Sequence, residues 1–128
     1  AGDSVTYFGT FVAEHPMRIG TMHMGFFDAI PRELANKLRI KVEDRYCPGI
    51  GTIALNHSLL DLTDTAVEIG DTVTVISRDG ENNLYEVATA AGWMVYSVMN
   101  HLNSWLPRVY LENGEPTALL DPIKFGPP

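Results

Sequence analysis

Short runs of apolar or alternating residues recur along this chain, and turn-forming residues separate them at close intervals. Alternation with a two-residue period is typical of half-buried β-strands, because successive side chains point to opposite faces of a sheet. Glycine, proline, asparagine and aspartate interrupt the runs too often for a mainly helical chain. The predicted strands cover 5–13, 17–25, 50–55, 59–62, 72–76, 108–111 and 117–120.

Two segments have features of helices instead. A short helix is predicted over 31–37, because Pro31 suits the first helical turn. A longer one is predicted over 84–105, where apolar residues recur at spacings of three and four; Gly92 interrupts it and Pro107 ends it. Together the patterns predict a mainly β fold, a Greek-key-like β-barrel with one substantial helix near the C-terminal third. A β-sandwich is the alternative.

The chain has the size and composition of one folded domain. It has 128 residues, of which 45% are hydrophobic and 20% charged. We expect the domain to cover 1–121, and 122–128 to be a tail rich in proline and glycine. The first residue is Ala1 rather than methionine, so we expect a processed chain or a piece of a longer protein.

Charge and residue counts exclude several classes of function. Lysine and arginine number 9 against 16 aspartates and glutamates, a net charge of −7, so nucleic acid is not an expected partner. No apolar stretch reaches the ~18 residues that cross a bilayer. The lone Cys47 and four histidines without ligand spacing predict neither a disulfide nor a metal site. A lone thiol and the lack of a signal-peptide pattern favour the cytoplasm.

A series of strings provides the most specific evidence. They read GDSVTYFG at 2–9, IGTMHMGFFDAIPR at 19–32, CPGIGTIALN at 47–56, DLTD at 61–64, GDTV at 70–73, YEV at 85–87 and LPRVY at 106–110. In this order and spacing they resemble the C-terminal domain of alanine racemases. The family counterparts of the first three are Gly-x-x-Val-Ser-Tyr-Gly, Ile-Gly-Tyr-Ala-Asp-Gly-Tyr-Pro-Arg and Cys-Pro-x-x-Gly-Arg-x-x-Met-Asp.

The resemblance implies partners and a cofactor that this chain lacks. In that family of isomerases an N-terminal TIM barrel carries pyridoxal phosphate on a lysine, and a β-rich C-terminal domain follows. Two subunits form a head-to-tail dimer, in which each C-terminal domain reaches into the partner's active site. The expected partners are therefore a barrel domain in cis or in trans, a second subunit and a small amino-acid substrate. Since the chain has no pattern of eight βα units, we expect it to be inactive alone.

Two residues match positions that act on the substrate. Tyr7 matches the tyrosine that moves the α-proton on one face of the substrate. A free phenol has a pKa near ~10, so such a base needs positive charge or hydrogen bonds from the barrel domain. Leu55 matches a methionine whose backbone amide helps to hold the substrate carboxylate, a role that tolerates leucine. From the pattern alone, Tyr7 would be a strand residue that packs with Phe11.

The positions that match the family's substrate corridor are partly changed. Arg32 matches a corridor arginine, and Asp28 matches the aspartate of the second string. Phe26 replaces a tyrosine, Thr52 an arginine and Asn56 an aspartate, so the corridor loses a hydroxyl and two charges. Two functions follow: a racemase domain for alanine or a related amino acid, or a non-catalytic homologue used for dimerisation or binding. An unrelated β module is a third possibility.

Overall fold

A computed structural model describes residues 1–121; the predicted tail over 122–128 lies outside the described residues. The described part is mainly β, as predicted, with short helices. The strands are β1 (Ser4–Val5), β2 (Phe11–Val12), β3 (Ile19–Met22), β4 (Arg39–Val42), β5 (Arg45–Ile50), β6 (Ser58–Asp61), β7 (Arg108–Glu112) and β8 (Glu115–Leu120). The α-helices are α1 (Leu84–Ala91) and α2 (Val95–Asn100), and single 3₁₀ turns span Tyr7–Gly9, Phe26–Asp28 and Arg32–Leu34.

The strands of residues 1–121 form three separate antiparallel sheets. Their orders are β1-β2, β3-β6-β5-β4 and β7-β8. In the four-stranded sheet, β3 and β4 are the outer strands and do not pair with each other. The described residues therefore do not form the Greek-key-like closed barrel that the sequence led us to expect. Four strands of four to six residues are too few to close a barrel, which needs more strands to enclose a filled interior.

The hairpin of β4 and β5 contributes fully buried side chains to the core, and the sequence patterns did not predict it. Ile40 and Val42 of β4 are fully buried, whereas Arg39, the first residue of β4, is exposed. Ile40 lies opposite Cys47 of β5. The turn at 43–44 contains no glycine, although Glu43 adopts a φ of 55°. Without a glycine, this turn has no clear signal in the sequence.

One apolar cluster joins the four-stranded sheet to the helices. Its fully or nearly fully buried members are Met22, Ile30, Leu34, Leu38, Ile40, Val42, Cys47, Ile53, Leu60, Val67, Val87, Ala88, Ala91 and Val98. Burial raises the pKa of the Cys47 thiol, and the nearby carboxylate of Asp61 raises it further. The thiol is therefore held protonated at neutral pH and serves as a small core side chain.

The segment over 84–105 forms two short helices instead of one substantial helix. Helix α1 begins after Asn83, whose side-chain oxygen accepts hydrogen bonds from the Tyr85 and Glu86 amides at 2.9 and 3.1 Å. It ends at Gly92, which has a φ of 70° and lets the chain turn towards α2. No helix within residues 1–121 has the length and apolar character to span a membrane.

The other predicted elements have mixed outcomes. The strand over 17–25 is confirmed in shortened form as β3, and the strand over 59–62 is confirmed as β6 with a displacement of one residue. The hairpin over 108–120 is confirmed as β7 and β8. The helix over 31–37 is wrong in extent, because only a 3₁₀ turn forms there. The strand over 72–76 is wrong as well: Thr74 forms a single bridge with Lys41. Of the strand over 50–55, only Ile50 belongs to a strand.

Candidate functional site

Tyr7 lies on an exposed turn rather than in the middle of a strand. The predicted strand over 5–13 is broken by the 3₁₀ turn Tyr7–Gly9, which connects β1 to β2. Thr6 and Phe8 have φ angles of 70° and 65°, which place both in a region that non-glycine residues rarely adopt. Such residues cost about 1–3 kcal/mol each. Tyr7 is 67% exposed, and the turn presents its ring at the surface.

Phe8 is the most exposed aromatic residue of this turn. It is 95% exposed and stands where the family string has glycine. Glycine adopts a left-handed conformation without strain, so phenylalanine at this position makes the same turn conformation less favourable than glycine would. The chain therefore carries an exposed aromatic side chain beside Tyr7 where the family string has glycine.

Thr52 is in direct contact with the backbone of the Tyr7 turn. Its N–H donates to Thr6 Oγ1 at 3.3 Å, and its hydroxyl donates to the Tyr7 carbonyl at 3.2 Å. The preceding Gly51 has a φ of 69°, and a side chain there would collide with Thr6. The loop that begins at Gly51 can therefore approach the turn closely only because this residue has no Cβ.

Leu55 lies further along the same loop, in a turn that the Ala54 N–H closes by donating to the His57 carbonyl at 3.0 Å. The Leu55 carbonyl accepts a hydrogen bond from the Phe27 N–H at 3.0 Å. Within residues 1–121 the Leu55 N–H takes part in no hydrogen bond. The residue and the following Asn56 are both exposed, so this amide is free to bind an acceptor from outside the described chain.

Phe26 and Arg32 are brought together beside that loop. The Phe26 N–H donates to the Ala54 carbonyl at 3.0 Å, which ties its 3₁₀ turn to the loop. A side chain at Gly25 would overlap the carbonyl oxygens of Ala54 and Leu55, so glycine is required for this approach. The Arg32 guanidinium carbon lies 5.3 Å from the centre of the Phe26 ring, within cation–π range.

Asp28 acts as a structural anchor of the same turn. One carboxylate oxygen accepts from the Gly25 N–H at 3.1 Å, and the other accepts from the side-chain amide of Asn103 at 3.3 Å. Asn103 lies 75 residues further along the chain, and nothing in the sequence suggested this contact. The carboxylate that matches the family aspartate therefore stabilises the turn that carries Phe26.

These contacts connect the six residues that the resemblance assigns to the substrate site and its corridor. Tyr7 contacts Thr52, which lies three residues, at most about 11 Å, from Leu55 on the same loop. The loop in turn binds the segment that carries Phe26. We call this connected surface the site patch, and its members are Tyr7, Phe26, Arg32, Thr52, Leu55 and Asn56.

The described residues do not fit pyridoxal phosphate as a resident cofactor. Attachment of this cofactor requires a lysine amine. Lys37 lines a small cleft with Glu81 and Glu86, on the side of α1, and Lys41 belongs to β4. Neither is a member of the site patch, and Lys124 lies outside the described residues. Within residues 1–121, the site patch therefore contains no lysine that could hold this cofactor.

The fold and the site patch together define a β-rich domain that carries a tyrosine and a backbone amide on one exposed surface. The family model described as "Alanine racemase, C-terminal domain" matches residues 1–110. This chain therefore belongs to the alanine racemase C-terminal domain family. The alanine racemase of Lactobacillus acidophilus is 35% identical over 113 residues, which cover 87% of this chain and 30% of that protein. The chain thus spans about 30% of the length of such curated relatives.

Solved structures share the same fold. The alanine racemase from Bacillus anthracis with bound L-Ala-P aligns with a TM-score of 0.85 at 24% identity, over 96% of this chain and 32% of that one. The alanine racemase from Bartonella henselae with covalently bound pyridoxal phosphate aligns with a TM-score of 0.75 at 26% identity, over 81% of this chain and 29% of that one. The likeness extends over most of the domain and confirms the resemblance found in the sequence.

Proposed function

We propose that this chain is the C-terminal domain of a pyridoxal-phosphate-dependent racemase that interconverts L- and D-alanine or a related amino acid. The observation that carries the proposal is the exposure of Tyr7 on a strained turn, linked through one loop to the free amide of Leu55. Family membership supplies the reaction class. A proton-transfer group and an anion-binding donor on one surface suit a substrate that bears an α-proton next to a carboxylate.

In this proposal the phenolic oxygen of Tyr7 removes or returns the α-proton on one face of the substrate. A cofactor held by the barrel domain would delocalise the charge left on the α-carbon. A phenol acts as a base only in its deprotonated form, so the barrel domain is proposed to provide positive charge or hydrogen bonds that favour the phenolate. The exposed position of Tyr7 leaves its ring open to such groups.

The rest of the site patch would bind and admit the substrate. The Leu55 N–H is proposed to donate to the substrate carboxylate, which is a role of the backbone and does not depend on the side chain. Phe26, Arg32, Thr52 and Asn56 are proposed to line the corridor through which the substrate arrives. Arg32, held over the Phe26 ring, contributes positive charge that attracts a carboxylate.

The proposed partners are a barrel domain, in cis or as a separate chain, and a second subunit. The share of about 30% of the relatives' length supports a partner domain of larger size. The complete enzyme is proposed to be a cytoplasmic homodimer, and the isolated chain to be inactive. Measuring racemisation of alanine by the chain alone, by a barrel domain alone and by the two together tests this division of roles.

Replacing Tyr7 is the sharpest test of the catalytic assignment. The host is a chimera in which this chain replaces the C-terminal domain of the Lactobacillus acidophilus alanine racemase. Tyr7→Phe removes only the hydroxyl and is expected to lower the rate of alanine racemisation by about 10²–10⁴-fold, the usual contribution of a general acid or base. Tyr85→Phe is the matched control, because Tyr85 is also exposed but lies on α1. Equal racemisation by the Tyr7→Phe and parent chimeras would contradict the assignment.

A non-catalytic homologue is the second candidate function. The loss of a hydroxyl at Phe26 and of charges at Thr52 and Asn56 favours it, and so does the bulky Phe8 beside Tyr7. In this case the domain would serve for dimerisation or binding. A panel of L-amino acids incubated with the full-length protein separates the two functions. Turnover of any member rules out the second, whereas a folded dimer that racemises none of them rules out the first.

A further inference from the structure

Three threonine hydroxyls form a cluster beneath the Tyr7 turn. Thr6 Oγ1 lies 2.9 Å from Thr10 Oγ1, and Thr10 Oγ1 lies 2.8 Å from Thr52 Oγ1. The Thr52 N–H reaches Thr6 Oγ1 at 3.3 Å, and the Thr52 hydroxyl reaches the Tyr7 carbonyl at 3.2 Å. The hydrogen-bonded series thus starts at the Thr52 N–H and returns to the Thr52 hydroxyl. It includes Thr6, which precedes the turn, and Thr10, which follows it.

The number of protons fixes the direction of every hydrogen bond in this cluster. A carbonyl oxygen only accepts, so the single Thr52 hydroxyl proton is donated to Tyr7. The Thr10 hydroxyl must then donate to Thr52, and the Thr6 hydroxyl must donate to Thr10. The backbone N–H of Thr52 donates to Thr6 and completes the series. All hydroxyls donate in the same sense, an arrangement in which neighbouring hydrogen bonds strengthen one another.

Few other contacts within the described chain hold the turn: the Gly9 N–H donates to the Thr6 carbonyl at 3.4 Å, within the turn itself. None of the residues Tyr7–Gly9 is buried, and the flanking strands β1 and β2 pair through only two residues each. The loop at Gly51, by contrast, is anchored by two hydrogen bonds to Asn36. The Asn36 side-chain oxygen accepts from the Gly51 N–H at 2.5 Å, and the Asn36 backbone N–H donates to the Gly51 carbonyl at 3.3 Å. The threonine cluster therefore connects a fixed loop to a turn that has no packing of its own.

We propose that Thr52 is a positioning residue, which holds the Tyr7 turn in its strained conformation through the hydroxyls of Thr6 and Thr10. This inference rests on the proposed function of Tyr7. Thr52, which replaces a corridor arginine, then has a second role, because its hydroxyl fixes the backbone of Tyr7, the proposed base. Each of the three hydroxyls takes part in two bonds of the cluster, but only the Thr52 hydroxyl binds the Tyr7 carbonyl.

The first test measures the turn itself in the 128-residue chain. Thr52→Val keeps the shape of the side chain without its hydroxyl, and Thr52→Ser keeps the hydroxyl. We expect the ¹⁵N order parameters of the Tyr7, Phe8 and Gly9 amides to fall in Thr52→Val and to remain at the parent level in Thr52→Ser. Thr72→Val, at an exposed threonine far along the chain from the cluster, is the matched control. Unchanged order parameters in Thr52→Val, or an equal fall in Thr52→Ser, would overturn the proposal.

The second test measures the reaction in the chimera described above. Thr52→Val is expected to lower kcat by about 10–100-fold, because a small displacement of a reacting group is enough for such a loss. KM is expected to change less than kcat, and Thr52→Ser is expected to restore kcat. If KM rises and kcat is unchanged, Thr52 acts on substrate access and the positioning role is wrong. If Tyr7→Phe has no effect on the rate while the order parameters behave as expected, the catalytic role of Tyr7 fails and the positioning of the turn stands.

Discussion

Two hairpins of similar length differ completely in what stabilises them. The hairpin of β4 and β5 places Ile40 and Val42 in the centre of the core, and its turn contains no glycine. The hairpin of β7 and β8 has every strand residue exposed, and its turn is Asn113-Gly114, with φ angles of 53° and 87°. The first hairpin is thus held by tertiary packing, and the second by the local chemistry of its turn.

The difference explains which hairpin was predictable. An asparagine-glycine turn between apolar runs is a strong local signal, and it predicted β7 and β8 correctly. The β4–β5 turn requires a left-handed glutamate, Glu43, which no local rule suggests. That conformation is maintained because the strands on either side are buried. The four-stranded sheet therefore imposes a turn that the local sequence does not favour.

A large-to-small substitution in each hairpin should separate the two mechanisms most clearly. Ile40→Ala is expected to lower the free energy of unfolding by about 2–5 kcal/mol, because a buried side chain is lost and a cavity remains. Val109→Ala, at a residue that is 58% exposed, is expected to change it by no more than about 0.5 kcal/mol. Urea unfolding followed by circular dichroism measures both. Similar losses in the two variants would show that the C-terminal hairpin belongs to the cooperative core.

A substitution in the second turn should have a smaller and more local effect. Gly114→Ala meets no steric obstacle, but its φ of 87° makes any side chain unfavourable. We expect a local cost of about 1–2 kcal/mol. Amide hydrogen exchange is expected to accelerate in β7 and β8 and to stay unchanged in β4 and β5. Faster exchange throughout the four-stranded sheet would contradict the view that the second hairpin is independent.

Relieving the strained turn of the first hairpin should have the smallest effect. Glu43→Gly is expected to stabilise the chain by about 0.5 kcal/mol, because glycine tolerates the φ of 55° and offsets the entropy that it adds to the unfolded chain. Glu68→Gly, at an exposed glutamate without a positive φ, is the control and is expected to destabilise the chain by about 0.5–1 kcal/mol. Destabilisation by both substitutions would mean that the Glu43 conformation is not strained in solution.

The candidate site likewise combines features that the local sequence predicted with contacts that it did not. The strings around Tyr7, Leu55 and Arg32 are local, so the family and its candidate residues were accessible from sequence. The threonine cluster was not, because it joins Thr6 and Thr10 to a residue more than 40 positions away, Thr52. Nor was the contact between Asp28 and Asn103, which depends on where the segment after α2 lies. Neither contact is indicated by a periodic pattern or by turn residues in the sequence.

The sequence by itself determined the mainly β class, the second hairpin and the family. Each of these depends on residues close together in the chain or on motifs in a fixed order. Only the tertiary structure decided that the described strands form separate sheets, that 5–13 breaks into a turn at Tyr7, and that Thr52 contacts this turn. The physical reason is that sheet pairing and hydroxyl contacts join segments far apart in sequence, and burial can then impose backbone conformations that local propensity disfavours.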